Sequence, residues 1–334
     1  MKPVAVIIPT LRRPESLARA VASVQRQLRA DELIREIVVV DNAPEGSAAP
    51  VVELARAASP VAMVYAHAPR PGVANARNAG LQATDAPIIA FLDDDEEAAE
   101  TWLGELYDVH MGLSADVTFG PVQGRVDTDH VKAKPYLEAF FSRFGPATSG
   151  VIEESYGCGN SMLTRATTLA ETSPFDARAN DIGGEDDRLF SKLRAERRRF
   201  AWAANALVLE YAAEHRANMA YTLRRAMSYG SGPVQICARK SPPDVIGVLR
   251  WMVIGAGQTA VYGVGALAAW LAGSADAYAL MDRTARGLGK VLWWRERAFY
   301  GEVEAARTSA RSINRRPRAS RVASAVKISQ MKSL

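Results

Sequence analysis

Apolar positions recur at two alternating periods along the first 95 residues. Val4 to Ile8 is a continuous, largely β-branched apolar run, the pattern of a strand covered on both faces. Pro14 and Glu15 open a segment in which Leu17, Ala20, Val21 and Val24 recur at helical spacing. Ile37 to Val40 predicts a second buried strand, ending in Asp41-Asn42. Pro50 to Ala58 predicts a helix and Val61 to Tyr65 a strand. A turn at Pro69 to Gly72 leads into a helix over Val73 to Gln82. Ile88 to Leu92 is the fourth strand and runs straight into Asp93-Asp94-Asp95-Glu96-Glu97. Strands alternating with helices predict βαβ units, hence an α/β fold with a mostly parallel sheet. Thr10, Asp41 and Asp93 each close a strand at its C-terminal end, the edge where open α/β sheets bind ligands. No G-x-G-x-x-G follows the first strand, which disfavours the dinucleotide-binding version of this architecture.

Beyond residue 100 the pattern is more mixed. Val117 to Val126, Asn160 to Thr164 and Ala206 to Tyr211 predict strands; Glu185 to Arg199 and Met219 to Tyr229 predict helices. Trp251 to Ala275 carries no charge at all. Ser309 to Lys332 is polar, basic and loose in pattern.

Composition changes this picture in two places. The chain has 334 residues and a net charge of +4, but Arg283 to Leu334 holds thirteen Lys/Arg against three Glu. That stretch carries +10 and leaves −6 for the rest, so an anionic contact is expected at the C-terminal end. The two cysteines, Cys158 and Cys237, match no zinc spacing and predict no disulfide framework, which favours a reducing, cytosolic compartment. The apolar run near the N-terminus is too short for a signal-peptide core, so secretion is not expected.

Two acidic motifs carry the candidate chemistry. Five consecutive carboxylates normally make a solvated face. Here the run is fused to a strand that should be buried, and carboxylates fixed at a crevice suit a hard divalent cation with oxygen ligands. If the run is extended, Asp93 and Asp95 point to one side and Asp94 to the other. In Gly183-Gly184-Glu185-Asp186-Asp187, glycines permit a tight turn and the acids fall in a helix's first turn. Free N–H groups and the helix dipole favour the ionised carboxylate there. A carboxylate so held can accept a proton from an attacking hydroxyl.

The order of motifs resembles glycosyltransferase family 2. It comprises Val4–Thr10 with Arg12-Arg13-Pro14, Val38-Val39-Val40-Asp41-Asn42, Pro71-Gly72-Val73-Ala74-Asn75-Ala76-Arg77-Asn78, Leu92-Asp93-Asp94-Asp95 before Trp102-Leu103, and Gly184-Glu185-Asp186. Within that family it is most similar to bacterial exopolysaccharide transferases of the succinoglycan-biosynthesis type. The resemblance covers about the first two-thirds of the chain. It implies a GT-A fold, with a Rossmann-like sheet, helices on both faces and here a helical C-terminal extension. Residues 1–115 would be the nucleotide-sugar-binding half, 116–235 the acceptor-binding half, and 236–334 a helical, basic, membrane-associated region.

The resemblance also implies roles. Pro9, Thr10 and Arg13 line the nucleotide pocket, Asp41 bonds the base, and Arg77 and Asn78 border the diphosphate. Asp93 and Asp94 lie near ribose and donor sugar; Gly159 and Asn160 run beside the sugars. Asp95, with Asp93 and a downstream His215, holds Mn2+ or Mg2+. Asp186 is the general base, with Glu185 beside it at the acceptor. The expected partners are a nucleoside-diphosphate sugar, a glycan or lipid-linked glycan acceptor, and an anionic membrane surface.

One base and one cation site suit inverting, in-line transfer to a hydroxyl, since a diphosphate leaving group needs charge neutralised rather than a proton. Transfer to a polyprenyl phosphate is the alternative, and there Asp186 matters less because that acceptor is already ionised. A sugar-nucleotide pyrophosphorylase would want a glycine-rich loop after the first strand. A nucleic-acid role is not expected: beyond Trp293-Trp294 and Phe299-Tyr300 the basic tail lacks interleaved aromatics. The enzyme is expected at the cytoplasmic face of the membrane, Trp251–Ala275 forming an interfacial or re-entrant helix. A buried helix packed on the catalytic domain is the competing expectation.

Overall fold

The apolar runs of the first 92 residues become four parallel strands: β1 (Val4–Thr10), β2 (Ile34–Asp41), β3 (Met63–His67) and β4 (Ile88–Phe91). Helices α1 (Pro14–Gln25), the short α2 (Ala30–Leu33), α3 (Ala49–Ala58) and α4 (Val73–Gln82) connect them. These elements come from a computed structural model, which describes residues 2–59, 61–180 and 184–295. Gly183 of the second acidic motif, Phe299-Tyr300 and the Ser309–Lys332 segment lie outside those residues, as does most of the +10 stretch.

Every residue of β1 is buried, and alternation sends its side chains into two different cores. Val4, Val6 and Ile8 pack with Leu17, Val21 and Val24 of α1. Ala5 and Ile7 pack with Ala74, Ala76 and Leu81 of α4. A strand apolar at every position is therefore the signature of a sheet with helices on both faces.

The chain continues through β5 (Glu96–Ala98), α5 (Trp102–Gly112), β6 (Val117–Phe119), β7 (Val122–Arg125), α6 (Lys134–Phe141), β8 (Gly150–Ile152), β9 (Ser161–Thr164) and α7 (Arg165–Thr168). Then come α8 (Glu185–Ala195), β10 (Phe200–Trp202), β11 (Val208–Tyr211), α9 (Met219–Ala238), α10 (Val245–Leu271) and α11 (Asp276–Val291). The main sheet runs β3-β2-β1-β4-β9-β6-β10-β8, and a small second sheet runs β5-β11-β7. Strands from both sides of residue 115 share the main sheet, so the two halves form one body.

The order places β2 and β3 on one side of β1 and β4 on the other. This is a topological switch point, where connections diverge and a crevice opens at the strand ends. Thr10 and the acidic run flank it. One expectation about strands is corrected. Val117–Val126 is not one strand: the chain breaks at Gly120-Pro121, sending β6 to the main sheet and β7 to the small one. A Cβ at Gly120 would stand 2.4 Å from the Ala206 carbonyl oxygen, so only glycine lets these segments cross so closely. The acidic run also contains a strand, β5, which pairs antiparallel with β11.

Candidate active site

The register pairs Thr10 with Asp41 and Asp41 with His67, so β1, β2 and β3 end level with one another. Pro9 is buried within β1 opposite Val40. Thr10 donates its hydroxyl to Asp94 Oδ2 at 2.7 Å. Beyond Leu92 the chain does not stay extended. The Glu96 amide donates to the Asp93 carbonyl at 3.1 Å, closing a turn whose residues cannot alternate sides as a strand does. The expected pairing of Asp93 with Asp95 is therefore corrected. Arg13 Nη1 lies 2.9 Å from Asp94 Oδ1 and 3.1 Å from Asp95 Oδ2, drawing those two neighbours together, while Asp93 turns to Arg77 at 3.2 Å.

The second acidic motif opens α8. Its flanking residue Gly184 has φ of +82°, a left-handed conformation that suits glycine. Glu185 is 4% exposed and is paired with Arg77 Nη1. Arg77, itself nearly sealed and seated over the Phe175 ring, thus bridges the acidic turn and the first residue of α8. Asp186 accepts from the Cys158 amide at 3.2 Å through Oδ2 and from the Asp187 amide at 2.9 Å through Oδ1. Between the two acidic groups runs Gly157-Cys158-Gly159. A Cβ at Gly159 would stand 2.5 Å from Asp93 Oδ2, and one at Gly157 3.5 Å from Asp186 Oδ2. Asp93, Arg77, Glu185, Asp186 and Gly159 therefore make one contiguous wall.

Three expected contact residues are occupied elsewhere. Asn78 donates to the Phe175 carbonyl at 2.8 Å and accepts from the Phe175 amide at 3.1 Å, which pins that backbone rather than facing a diphosphate. Asn160 is fully buried. It accepts from Trp102 Nε1 at 2.7 Å and donates to the Pro121 and Ala206 carbonyls, both at 2.8 Å. Both hydrogens of its amide are spent on scaffold carbonyls. Asp41 is also sealed; its oxygens accept from Ala43 N (3.0 Å), Ala48 N (2.6 Å) and Tyr65 Oη (3.0 Å), shaping the loop after β2. Burial first and Asp41 second push the Tyr65 phenol up to about 12.

The electrostatics add residues that the sequence reading passed over. Arg216 donates to Asp95 Oδ2, and Arg143 bridges Glu96 (3.0 Å) and Glu210 (3.1 Å). Glu96 in turn accepts from the Asp93 amide at 3.0 Å, so Arg143 acts on the turn through Glu96. Burial would push the Asp95 carboxyl up, but Arg216 and Arg13 outweigh it and hold it below the ordinary carboxylate range. Glu96 and Glu210 share one guanidinium; burial pushes both upward, and repulsion adds to it, from Asp93 and then Glu210 on Glu96 and from Asp95 and Asp93 on Glu210. Burial likewise raises Glu185, against the pull of Arg77. Arg216 had a signal in its neighbour His215, whose carbonyl accepts from Asn218 at 2.8 Å in the same turn. Arg143 had none: a lone arginine after an aromatic pair says nothing of its partners.

As arranged here these carboxylates are held by arginines, and a divalent ion would need Asp95 freed from Arg216. Among the described residues no three His, Cys, Asp or Glu side chains converge. Asp95, the expected direct ligand, is already neutralised by two guanidiniums, and Asp93 is engaged by a third.

Comparison with known proteins agrees with this architecture. Residues 5–170 match the family model described as glycosyl transferase family 2. Succinoglycan biosynthesis protein ExoM of Rhizobium meliloti (strain 1021) is 29% identical over 234 residues, 70% of this chain and 74% of that protein. Pre-mycofactocin glycosyltransferase of Mycobacterium tuberculosis (strain ATCC 25618 / H37Rv) is 28% identical over 269 residues, 76% of this chain and 53% of that protein. The chain thus spans about half the length of that second relative. Among solved structures, the mannosyltransferase PcManGT from Pyrobaculum calidifontis, in complex with GDP-Man and Mn2+, superposes with a TM-score of 0.55. It is 18% identical and 88% of each chain is covered, a likeness of fold alone. That fold is GT-A.

Proposed function

Because residues 5–170 belong to glycosyltransferase family 2, we propose that this enzyme moves a sugar, with inversion, from a UDP-linked donor to an acceptor hydroxyl during bacterial exopolysaccharide assembly. The observation that carries the reading is the Arg77 bridge. It joins the acidic turn at the switch point to the first turn of α8, bringing donor-side and acceptor-side carboxylates into one wall. The relative named for succinoglycan biosynthesis supports the polysaccharide setting, and the acceptor in this reading is a glycan or lipid-linked glycan.

Asp186 serves as base. Two backbone amides hold its carboxylate oxygens at the start of α8, from where the carboxylate can draw the proton from an acceptor hydroxyl. Attack from the face opposite the diphosphate inverts the anomeric carbon. Thr10, Arg13 and the Asp93–Asp95 turn form the donor side, and Asp41 acts by shaping the loop beside it. The leaving diphosphate needs positive charge, and Arg13 and Arg216 are cations already at the turn. Mn2+ or Mg2+ is the other candidate; it would be held through Asp95 once Arg216 releases that carboxylate, and when bound it supplies Lewis-acid charge neutralisation. Donor nucleotides are cytosolic, which supports a cytoplasmic site of action in this reading.

Incubation with a panel of nucleotide sugars tests the reading: one donor should release its nucleoside diphosphate in an acceptor-dependent manner, and the product should carry the opposite anomeric configuration. Retention of configuration, or no release from any donor, overturns it.

A further inference from the structure

The largest feature left over is the outer face of α10. Ile246, Leu249, Val253, Val264, Leu267 and Leu271 are each 58–81% exposed. At helical spacing they form one stripe, with alanine, glycine and Val261 filling its middle. The helix is 27 residues, about 40 Å. Exposed apolar area of that extent marks an interaction surface. The opposite face packs mainly along α11, and its first turn also meets Cys237 of α9. A Cβ at Gly255 would stand 2.8 Å from the Gly287 carbonyl oxygen, and Gly263 and Gly265 face Thr284 and Leu280. The expectation of a helix buried on the catalytic domain is therefore corrected.

We propose that this face seats in the headgroup–acyl boundary of an anionic bilayer, with α10 parallel to the membrane plane and α11 on its water side. The inference stands independently of the glycosyl-transfer reading. Two features point to lipid rather than to a second copy. Trp270, 61% exposed, sits near one end of the stripe, and exposed Arg250 near the other, the arrangement of interfacial anchors. The chain then continues into residues 296–334, which hold nine Lys/Arg against three Glu and complement anionic headgroups.

The packing also decides between lying and crossing. Contacts pair Gly255 with Gly287 and Gly265 with Leu280, so α11 runs antiparallel along α10. It carries Asp276, Asp282, Arg283, Arg286 and Lys290. Were α10 to cross, its partner would have to take those charges into hydrocarbon or leave it. Leaving is opposed on the other side. A Cβ at Gly230 of α9 would stand 2.1 Å from the Arg286 carbonyl oxygen, and Tyr136 of α6 donates to Asp282 at 3.2 Å. α11 is thus clamped between α10 and the catalytic body, and the bilayer contact would fix how the strand-edge crevice faces the membrane.

The test uses the full chain with vesicles of phosphatidylglycerol and phosphatidylethanolamine, against pure phosphatidylcholine. Native protein should co-sediment with the anionic vesicles and be released from cell membranes by high salt or alkaline carbonate. Val253→Asp with Val264→Asp should weaken vesicle binding at least about tenfold, with circular dichroism and melting unchanged because both side chains face outward. If that variant fails to fold, brominated lipid should still quench the component of native fluorescence that Trp270→Phe removes. Extraction by detergent alone, with the C-terminus open to external protease, would overturn the proposal in favour of a span. Absence of vesicle binding also overturns it: a dimer that the double variant dissociates assigns the face to a second copy, and a monomer assigns it to residues 296–334.

Discussion

Arg216 reaches across 121 positions of the chain to donate a hydrogen bond to the carboxylate of Asp95. Both side chains are about nine-tenths buried, so each relies on the other. Replacing Arg216 with Met should cost about 3 kcal/mol in urea unfolding at neutral pH, because Asp95 keeps only Arg13. Asp95→Asn in the same background should return part of that loss.

The same pair bears on metal. A cation bound through Asp95 must compete with Arg216, so half-activation by Mn2+ should occur at lower metal concentration in Arg216→Met than in the native enzyme. Chelation should abolish transfer, and Asp95→Asn should not be rescued by Mn2+. Full activity of Asp95→Asn in chelator would mean that the arginines serve the diphosphate alone.

Asp186→Asn should lower turnover by about two to four orders of magnitude, the range for loss of a general base, with donor affinity nearly unchanged. A collapse of donor affinity with normal turnover of bound donor would place Asp186 in the donor pocket. Near-normal turnover on a polyprenyl phosphate would indicate an acceptor that needs no base.

Asn160→Ala should act on stability and leave KM for donor alone in whatever fraction folds. The change strands Trp102 Nε1 and the Ala206 carbonyl, at about 1–3 kcal/mol for each buried group left unsatisfied, while the Pro121 carbonyl keeps the Val208 amide. Thermal melting and steady-state kinetics on one preparation separate this from a direct sugar contact, which would raise KM without lowering the melting temperature.

His110 supplies a pH signature away from the site. Its ring is sealed between Thr118 (2.9 Å) and Thr164 (2.8 Å), and burial pulls it down to about 4. The fold favours the neutral ring. The stabilisation is therefore complete above about pH 6.5, the unfolded value, and is lost as pH falls toward 4. Urea midpoints measured from pH 7 to 5 should decline in the native protein and flatten in His110→Gln; an unchanged slope would show the ring free to protonate.

Much of this protein could be read from residue order alone. β1 and β4 lie where continuous apolar runs put them, and α1 where apolar residues recur at helical spacing, because burial on a sheet face or helix stripe is a local property of each segment. The acidic turn and the α8 acids were legible for a related reason: strand ends and helix first turns are local positions where carboxylates find N–H groups or cations. Partnership was not legible. The sequence reading set Asp93 beside Asp95, but a turn replaced the strand, and Arg13 joined Asp94 to Asp95 while Arg77 took Asp93 to Glu185. Asn78 and Asn160 carry motif positions, yet their amides are consumed by backbone that only the assembled fold brings near. Arg143, Arg216 and Glu210 meet the turn from residues 47 to 121 positions away, and no periodicity encodes such a meeting. For α10 the residues determined a helix long enough to span and uncharged from Trp251 onward, and only the charged α11 packed along it decided how that helix could meet a membrane. Short-range patterns set which face of each element is apolar; the pairing of buried charges is settled by which elements the hydrophobic core brings together.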